Sequence, residues 1–317
     1  MTAAHTELIQ SFSQINARSG IAVDLEARID SDSSGIEPAE KPPWMSAADF
    51  LEYNTYLTSL DASLVDQLAT GRFHPLAAVR GADDTVYKTP ADGTMQPLAA
   101  YVPHSYDPKK PTPLVVLLHG RGDSENDMIA SPWVRAAADA GGTIVIAPYA
   151  RGDSQYVDPA STDVYAAVDV GRQAFNVDPH RIYLAGHSMG GYGVFIVGPK
   201  HPDVWAAVLA ASGGMVTEDI TAALHGLQRV PVFLVVGSND PIVPQGYMKK
   251  NYDMLLASGI DAHYYEQAGG LHSIGTIKDA FGRAWHDMLA RTNARSPTSI
   301  DSVLPGLHAT PPANRVP

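Results

Sequence analysis

The chain has 317 residues, 45% hydrophobic and 18% charged, which is ordinary globular composition with enough sequence to bury a full core. Its formal net charge is -12 and no basic stripe interrupts the acidity, which argues against nucleic acid or another polyanion as a partner. With no cysteine, a disulfide scaffold, a thiolate metal site and a cysteine nucleophile are all excluded.

Met1 to Asn16 lacks a basic segment followed by a long apolar stretch, and no run in the chain reaches the length of a membrane span. A cytoplasmic protein without a membrane span is expected, with secretion behind a cleaved leader left open. Ser31-Asp32-Ser33-Ser34-Gly35 and Glu37-Pro38 read as loop, and Lys41-Pro42-Pro43 as a turn or extended segment. Ser46 then has the character of an N-cap with Asp49 in the first turn. From Phe50 to Leu68 the apolar residues Phe50, Leu51, Tyr53, Leu57, Leu60, Leu64, Val65 and Leu68 recur at near-helical spacing. Residues 1–78 are therefore expected to form a mainly helical extension, either a lid or a packing element.

A β/α pattern begins near Val79. Pro97–Pro103 reads as a strand, followed by a proline-rich linker over 107–113. Leu114–Leu118 is a continuous apolar run, the signature of a parallel strand buried on both faces. A helix is expected over Met128–Ala140, a strand over Thr143–Ala147 and a helix over Val164–Phe175. Strands follow at Arg181–Ala185, Ala206–Ala210 and Val232–Val236, a helix at Gln245–Ser258, a strand at Ala262–Glu266 and a closing helix at Ile277–Leu289. This alternation predicts an α/β catalytic domain over 79–295, with a mostly parallel central sheet and helices on both faces. Residues 296–317, rich in Pro, Ser and Thr, read as a tail.

The chemistry gathers at the ends of these strands. Gly186-His187-Ser188-Met189-Gly190 is a G-x-S-x-G motif lying between a strand and an apolar, helix-compatible segment. Such a turn is too tight for side chains at Gly186 and Gly190, and it holds the central serine exposed at the top of the sheet. A serine hydroxyl is a weak nucleophile and needs a base, which in turn needs an orienting carboxylate. Asp240 lies in Gly237-Ser238-Asn239-Asp240-Pro241, just beyond a strand, and His272 lies in Gly269-Gly270-Leu271-His272-Ser273, beyond the next. Open α/β sheets place their sites at such carboxyl ends. Ser188, Asp240 and His272 are the expected catalytic residues. His187 is expected to point away from its neighbouring serine. The backbone N–H groups of Met189 and Arg121 are the expected oxyanion donors, with His119 and Gly120 shaping the loop. The Arg121 side chain faces solvent or binds a substrate carboxylate; the residues alone do not choose. Trp133, Tyr149 and Tyr156 are the candidate substrate-pocket residues. No metal or cofactor is called for.

His119-Gly120, the motif at 186–191, Gly237-Ser238-Asn239-Asp240 and Gly270-Leu271-His272 resemble the α/β-hydrolase superfamily. Tyr101-Val102-Pro103 to Asp107-Pro108, followed by Pro113 to Gly120, is similar to the esterase and polyhydroxybutyrate-depolymerase-like branch, which includes feruloyl and acetyl esterases. His119-Gly120-Arg121-Gly122-Asp123-Ser124 also resembles the phospholipase/carboxylesterase branch. The resemblance spans about residues 97–290 and implies an α/β-hydrolase fold and a serine esterase acting on a small-molecule ester, with a homo-oligomer left open. Thioester, lactone or peptide hydrolysis on the same residues is the alternative, and a non-catalytic hydrolase-like binding protein is an alternative of another class.

Overall fold

The computed structural model describes residues 41–216 and 220–294. The expected loops at 31–38 and the tail at 296–317 lie outside the described residues. In chain order the elements are α1 (Ala47–Thr70), β1 (Gly81–Lys88), β2 (Met95–Val102), β3 (Thr112–Leu118), α2 (Glu125–Ala130), α3 (Pro132–Gly141), β4 (Ile144–Pro148) and α4 (Ala160–Ala174). Then come β5 (Val177–His187), α5 (Met189–Val197), β6 (Ala207–Ala211), α6 (Ile220–Gly226), β7 (Val232–Gly237), α7 (Gln245–Ala257), β8 (Ala262–Gln267) and α8 (Lys278–Leu289).

The strands form an 8-stranded sheet in the order β1-β2-β4-β3-β5-β6-β7-β8. Strands β3 to β8 run parallel, while β2 pairs antiparallel with both β1 and β4. The chain winds one way from β3 to β4 and the other way from β5 onward. The switch therefore falls between β3 and β5, where open α/β sheets bind ligands.

Every residue of β3 is buried, as its unbroken apolar run requires. The two-residue period splits that run between two cores. Leu114, Val116 and Leu118 pack with Val164, Val168 and Val194 on one face. Val115 and Leu117 pack with Val134, Phe281 and Trp285 on the other.

The expected helix at 128–140 is two helices. Pro132 opens α3 at its first position, where its missing N–H costs nothing, so the chain bends at Ser131. Strand β1 carries no apolar run, because Asp83 and Asp84 interrupt it. Pairing with β2 makes it a strand all the same. Buried Asp84 accepts from Gln67 Nε2, with 2.9 Å to its carbonyl and 3.2 Å to its carboxylate.

Helix α1 is one continuous helix. Ser46 caps it, its hydroxyl accepting from the N–H of Asp49 at 3.0 Å. Gly71, at φ 64°, closes it in the left-handed region. Leu64, Val65 and Leu68 pack on Val86 of β1. Farther along α1, Glu52 pairs with buried Arg135, Tyr53 donates to Asp127, and Asp61 accepts from Asn126 at 2.8 Å. Among the described residues, no helix is long and apolar enough to cross a membrane.

Candidate active site

The turn from β5 into α5 is built around a close approach of backbones. A Cβ on Gly186 would sit 2.2 Å from the carbonyl oxygen of Gly190, and a Cβ on Gly190 would sit 2.2 Å from that of Leu118. Only glycine fits either position. Between them Ser188 is held at φ 53°, ψ -116°, a conformation that L-residues seldom adopt. Its N–H donates to the carbonyl of Ala211 at 2.9 Å, which ties the strained residue to β6.

Asp240 follows β7 and is buried. Its Oδ1 accepts from the N–H groups of Ile242 and Val243, both at 2.9 Å, so the carboxylate organises the turn at Pro241. The same carboxylate faces His272, with Nδ1 at 2.9 Å from Oδ2 and 3.1 Å from Oδ1. Burial alone would raise its pKa. The two backbone donors and His272 outweigh burial and hold the carboxyl below its usual range. On the far side of the imidazole, Nε2 of His272 lies 2.8 Å from Ser188 Oγ. Three residues from three separate loops thus form one hydrogen-bonded line.

The loop after β3 closes over the serine. A Cβ on Gly120 would lie 3.4 Å from that of Ser188 and 2.6 Å from Asp123 Oδ2. A turn over 120–123 places Gly122 at φ 75°. Arg121-Gly122-Asp123 meets a second Arg-Gly-Asp segment, Arg151-Gly152-Asp153, here, since the N–H of Gly122 donates to Asp153 at 2.8 Å. Arg121 is exposed. Met189 is the first residue of α5, where N–H groups lack intrahelical acceptors and the helix dipole favours negative charge.

Residues 93–244 match the Esterase family, described as "Putative esterase". The chain is 29% identical over 143 residues to the "Putative esterase NocK" of Nocardia uniformis subsp. tsuyamanensis, covering 42% of this chain and 41% of that protein. It is 27% identical over 169 residues to the bifunctional acetylxylan esterase/xylanase XynS20E of Neocallimastix patriciarum, covering 51% of this chain and 24% of that one. The matched part thus spans less than half the length of either curated relative. The solved structure of the serine hydrolase FphF of Staphylococcus aureus superposes with a TM-score of 0.58 at 18% identity, covering 66% of this chain and 98% of that one. The chain has an α/β-hydrolase fold.

Two cavities flank Ser188. One, of about 420 Å³, is lined by Arg121, Asp123, His187, Leu271 and Ser273, together with Ser188 and His272. The other, of about 510 Å³, is more apolar, with Met189, Tyr192, Ile196, Ile242 and Val243 beside the same pair. Arg121 lines both.

Two of the candidate pocket residues belong elsewhere. Tyr156 is fully buried, and its hydroxyl donates to the His119 carbonyl at 3.0 Å. Tyr149 is also buried, its ring stacked on His119 at 6.0 Å, while its carbonyl lies 2.9 Å from His119 Nε2. Both brace the loop that carries Gly120 and Arg121 from behind. Position after β4 locates the correct end of the sheet but not the side of the loop. Trp133 lines a third cavity, which adjoins the one at Ser188 through shared Trp44, Asp123, His187 and Ser273.

His187 does not turn away from the site. Its ring lies 5.0 Å from that of His272 and lines the cavity at Ser188. Burial pushes its pKa down to about 4. Asp123, which no sequence pattern marks, lines the same cavity. Burial, then the neighbouring Asp127, push its carboxyl up to about 6. A lone carboxylate in a loop gives no such signal until the loop is folded.

Proposed function

We propose that the hydrolase cleaves carboxylic esters by acyl transfer through Ser188, His272 and Asp240. The observation that carries this reading is the single imidazole within hydrogen-bond reach of both partners, 2.8 Å from Ser188 Oγ and 2.9 Å from Asp240 Oδ2. Asp240 accepts a hydrogen bond from Nδ1–H of His272, which leaves Nε2 unprotonated and free to take the proton of the serine. Ser188 attacks the ester carbonyl as His272 accepts its proton. The tetrahedral oxyanion is held by the backbone N–H groups of Arg121 and Met189. His272 then protonates the leaving alcohol. Water, activated by the same imidazole, attacks the acyl-enzyme and releases the acid.

The family match and the esterase names among the relatives support an ester as the substrate. The strained backbone of Ser188 is a second support, because strain of this kind is retained where it aims a reacting group.

Hydrolysis of p-nitrophenyl esters by wild type and Ser188→Ala tests the reading. The expected result is turnover by wild type and a loss of about a million-fold in kcat in the variant. Retention of most activity by Ser188→Ala would show that Ser188 is not the nucleophile.

A further inference from the structure

The loop after β3 leaves one charge unpaired beside the serine. Arg121 is exposed and lines both cavities at Ser188. Its side chain forms no ion pair or hydrogen bond among the described residues. The second Arg-Gly-Asp segment behaves differently. Arg151 is held by Asp163 at 2.6 Å and by Asp92 at 2.7 Å, and Asp153 takes up the N–H of Gly122. The chain carries 34 acidic residues against 22 lysines and arginines, so carboxylates are in ample supply, yet none is placed on Arg121.

The larger cavity, of about 510 Å³, sets the surroundings of that charge. Met189, Ile196, Val216 and Val243 give it an apolar wall. Gln155 joins Arg121 in the lining, which contains no Asp or Glu. The Gln155 side chain also has no partner among the described residues. Its backbone is strained, at φ 56° with Tyr156 next at 59°. Tyr156 is fixed beneath the loop by its bond to the His119 carbonyl, so the strain turns one side chain into the protein and leaves the other at the cavity.

The two free groups match one ligand chemistry. A guanidinium presents a fork of N–H donors that fits a carboxylate with two parallel bonds. A primary amide adds a further N–H donor. A substrate anion this close to Ser188 would oppose the negative oxyanion that forms there, and a fixed cation offsets the repulsion. The 420 Å³ cavity is the poorer host, because Asp123 lines it and ionises above about pH 6.

We propose that Arg121, with Gln155, selects esters that carry a carboxylate on an aliphatic chain, such as monoesters of dicarboxylic acids, with the chain lying in the larger cavity. The proposal rests on the esterase reading, and the experiment separates the two.

Hydrolysis would be followed by proton release near neutral pH for monomethyl succinate, glutarate and adipate. Each is compared with its neutral analogue, in which a primary amide replaces the carboxylate. A parallel set, 3-acetoxypropionate and 4-acetoxybutyrate with their amides, moves the charge to the alcohol side. In one set the carboxylate should exceed the amide in kcat/KM by about tenfold or more. Arg121→Gln keeps the main-chain N–H and should bring that ratio to about one or below. Arg121→Lys should retain part of the ratio, and Gln155→Ala should lower it about threefold. The ratio is taken within each variant, so any disturbance of the oxyanion donor cancels. Raising sodium chloride from about 0.02 to 0.5 M should shrink the wild-type ratio, which decides the matter if Arg121→Gln is too slow to measure. A wild-type ratio of one or below in both sets overturns the proposal. So does a ratio that Arg121→Gln leaves unchanged, or that salt leaves unchanged where the variant is too slow. If no ester at all is hydrolysed, the p-nitrophenyl series included, the esterase reading fails. The carboxylate site is then judged by calorimetric titration with monomethyl glutarate. Saturable binding lost in Arg121→Gln supports it, and no saturable binding, or binding that the variant keeps, overturns it.

Discussion

Nε2–H of His187 donates to the main-chain carbonyl of His272 at 2.7 Å. The residue before Ser188 thus holds the loop that carries His272. The two sit 85 positions apart in sequence, and the bond closes the distance between the β5 turn and the loop after β8. Burial keeps the His187 ring neutral near pH 7, and a neutral imidazole with its proton on Nε2 suits a donor to a carbonyl.

His187→Leu should therefore lower kcat about ten- to a hundredfold for an ester bound in the cavity at Met189 and Tyr192, because His272 is misplaced while that cavity, which His187 does not line, remains. Steady-state kinetics on a short-chain ester would measure it. Wild-type kcat in His187→Leu would mean that the His272 loop needs no such anchor.

How much of this site was legible follows from what each residue depends on. Ser188 and Asp240 stand just past strands that read as apolar runs, and His272 just past the strand at Ala262–Gln267, so strand position brings all three to one end of the sheet. The glycines at 186 and 190 mark a turn that tolerates no side chain. His187 and Asp123 depend instead on which loops pack together, and no local pattern encodes that. Tyr149 and Tyr156 fail as pocket residues for the same reason. The segment after β4 doubles back through residues with positive φ, Tyr156 among them at 59°, and turns its rings beneath the loop at 119–121. Strand β1 carries no apolar-run signal, because Asp83 and Asp84 interrupt a strand that exists through pairing with β2.

Asp240→Asn tests the orientation of the base. The amide can keep its oxygen on the N–H groups of Ile242 and Val243, now at 2.9 Å each, and so turns its NH2 toward His272. An NH2 facing Nδ1 favours the tautomer with the proton on Nε2, which cannot accept from the serine. A fall in kcat of about ten-thousandfold is expected, with the folded structure retained. A fall of less than about tenfold would show that Asp240 does not set the tautomer.

Gly190→Ala tests the backbone packing that creates the elbow. The added methyl would meet the main chain of Leu118 at 2.2 and 2.6 Å, and no flexible side chain is there to give way. The loss should be on the order of 3 kcal/mol or more, read from the urea midpoint. Gly246→Ala, in α7 with nothing within 4 Å of the new methyl, is the control and should be neutral or stabilising. Equal stability of the two variants would contradict the close approach of β3 and α5.

The two perturbed groups at the cavity oppose one another in pH dependence. Asp123 is raised to about 6 from an ordinary 3.8, so the folded state holds its proton more tightly than the unfolded chain. Its contribution favours folding below the lower value and is lost as pH rises through the higher one. His187 is lowered to about 4 from 6.5, so the unfolded chain binds its proton first. That contribution is present above pH 6.5 and is lost as pH falls toward 4. Between those limits the slopes partly cancel. Asp123→Asn removes only the first, so the variant should gain stability over wild type as pH rises. The gain should be on the order of 1–3 kcal/mol at pH 7 and near zero at pH 4. Urea unfolding of both proteins at pH 4, 5, 6 and 7 would measure it. A variant less stable than wild type at pH 7 would mean that the ionised Asp123 carboxylate is held by stabilising contacts, and that the cavity at Ser188 does not carry the cost of burying it.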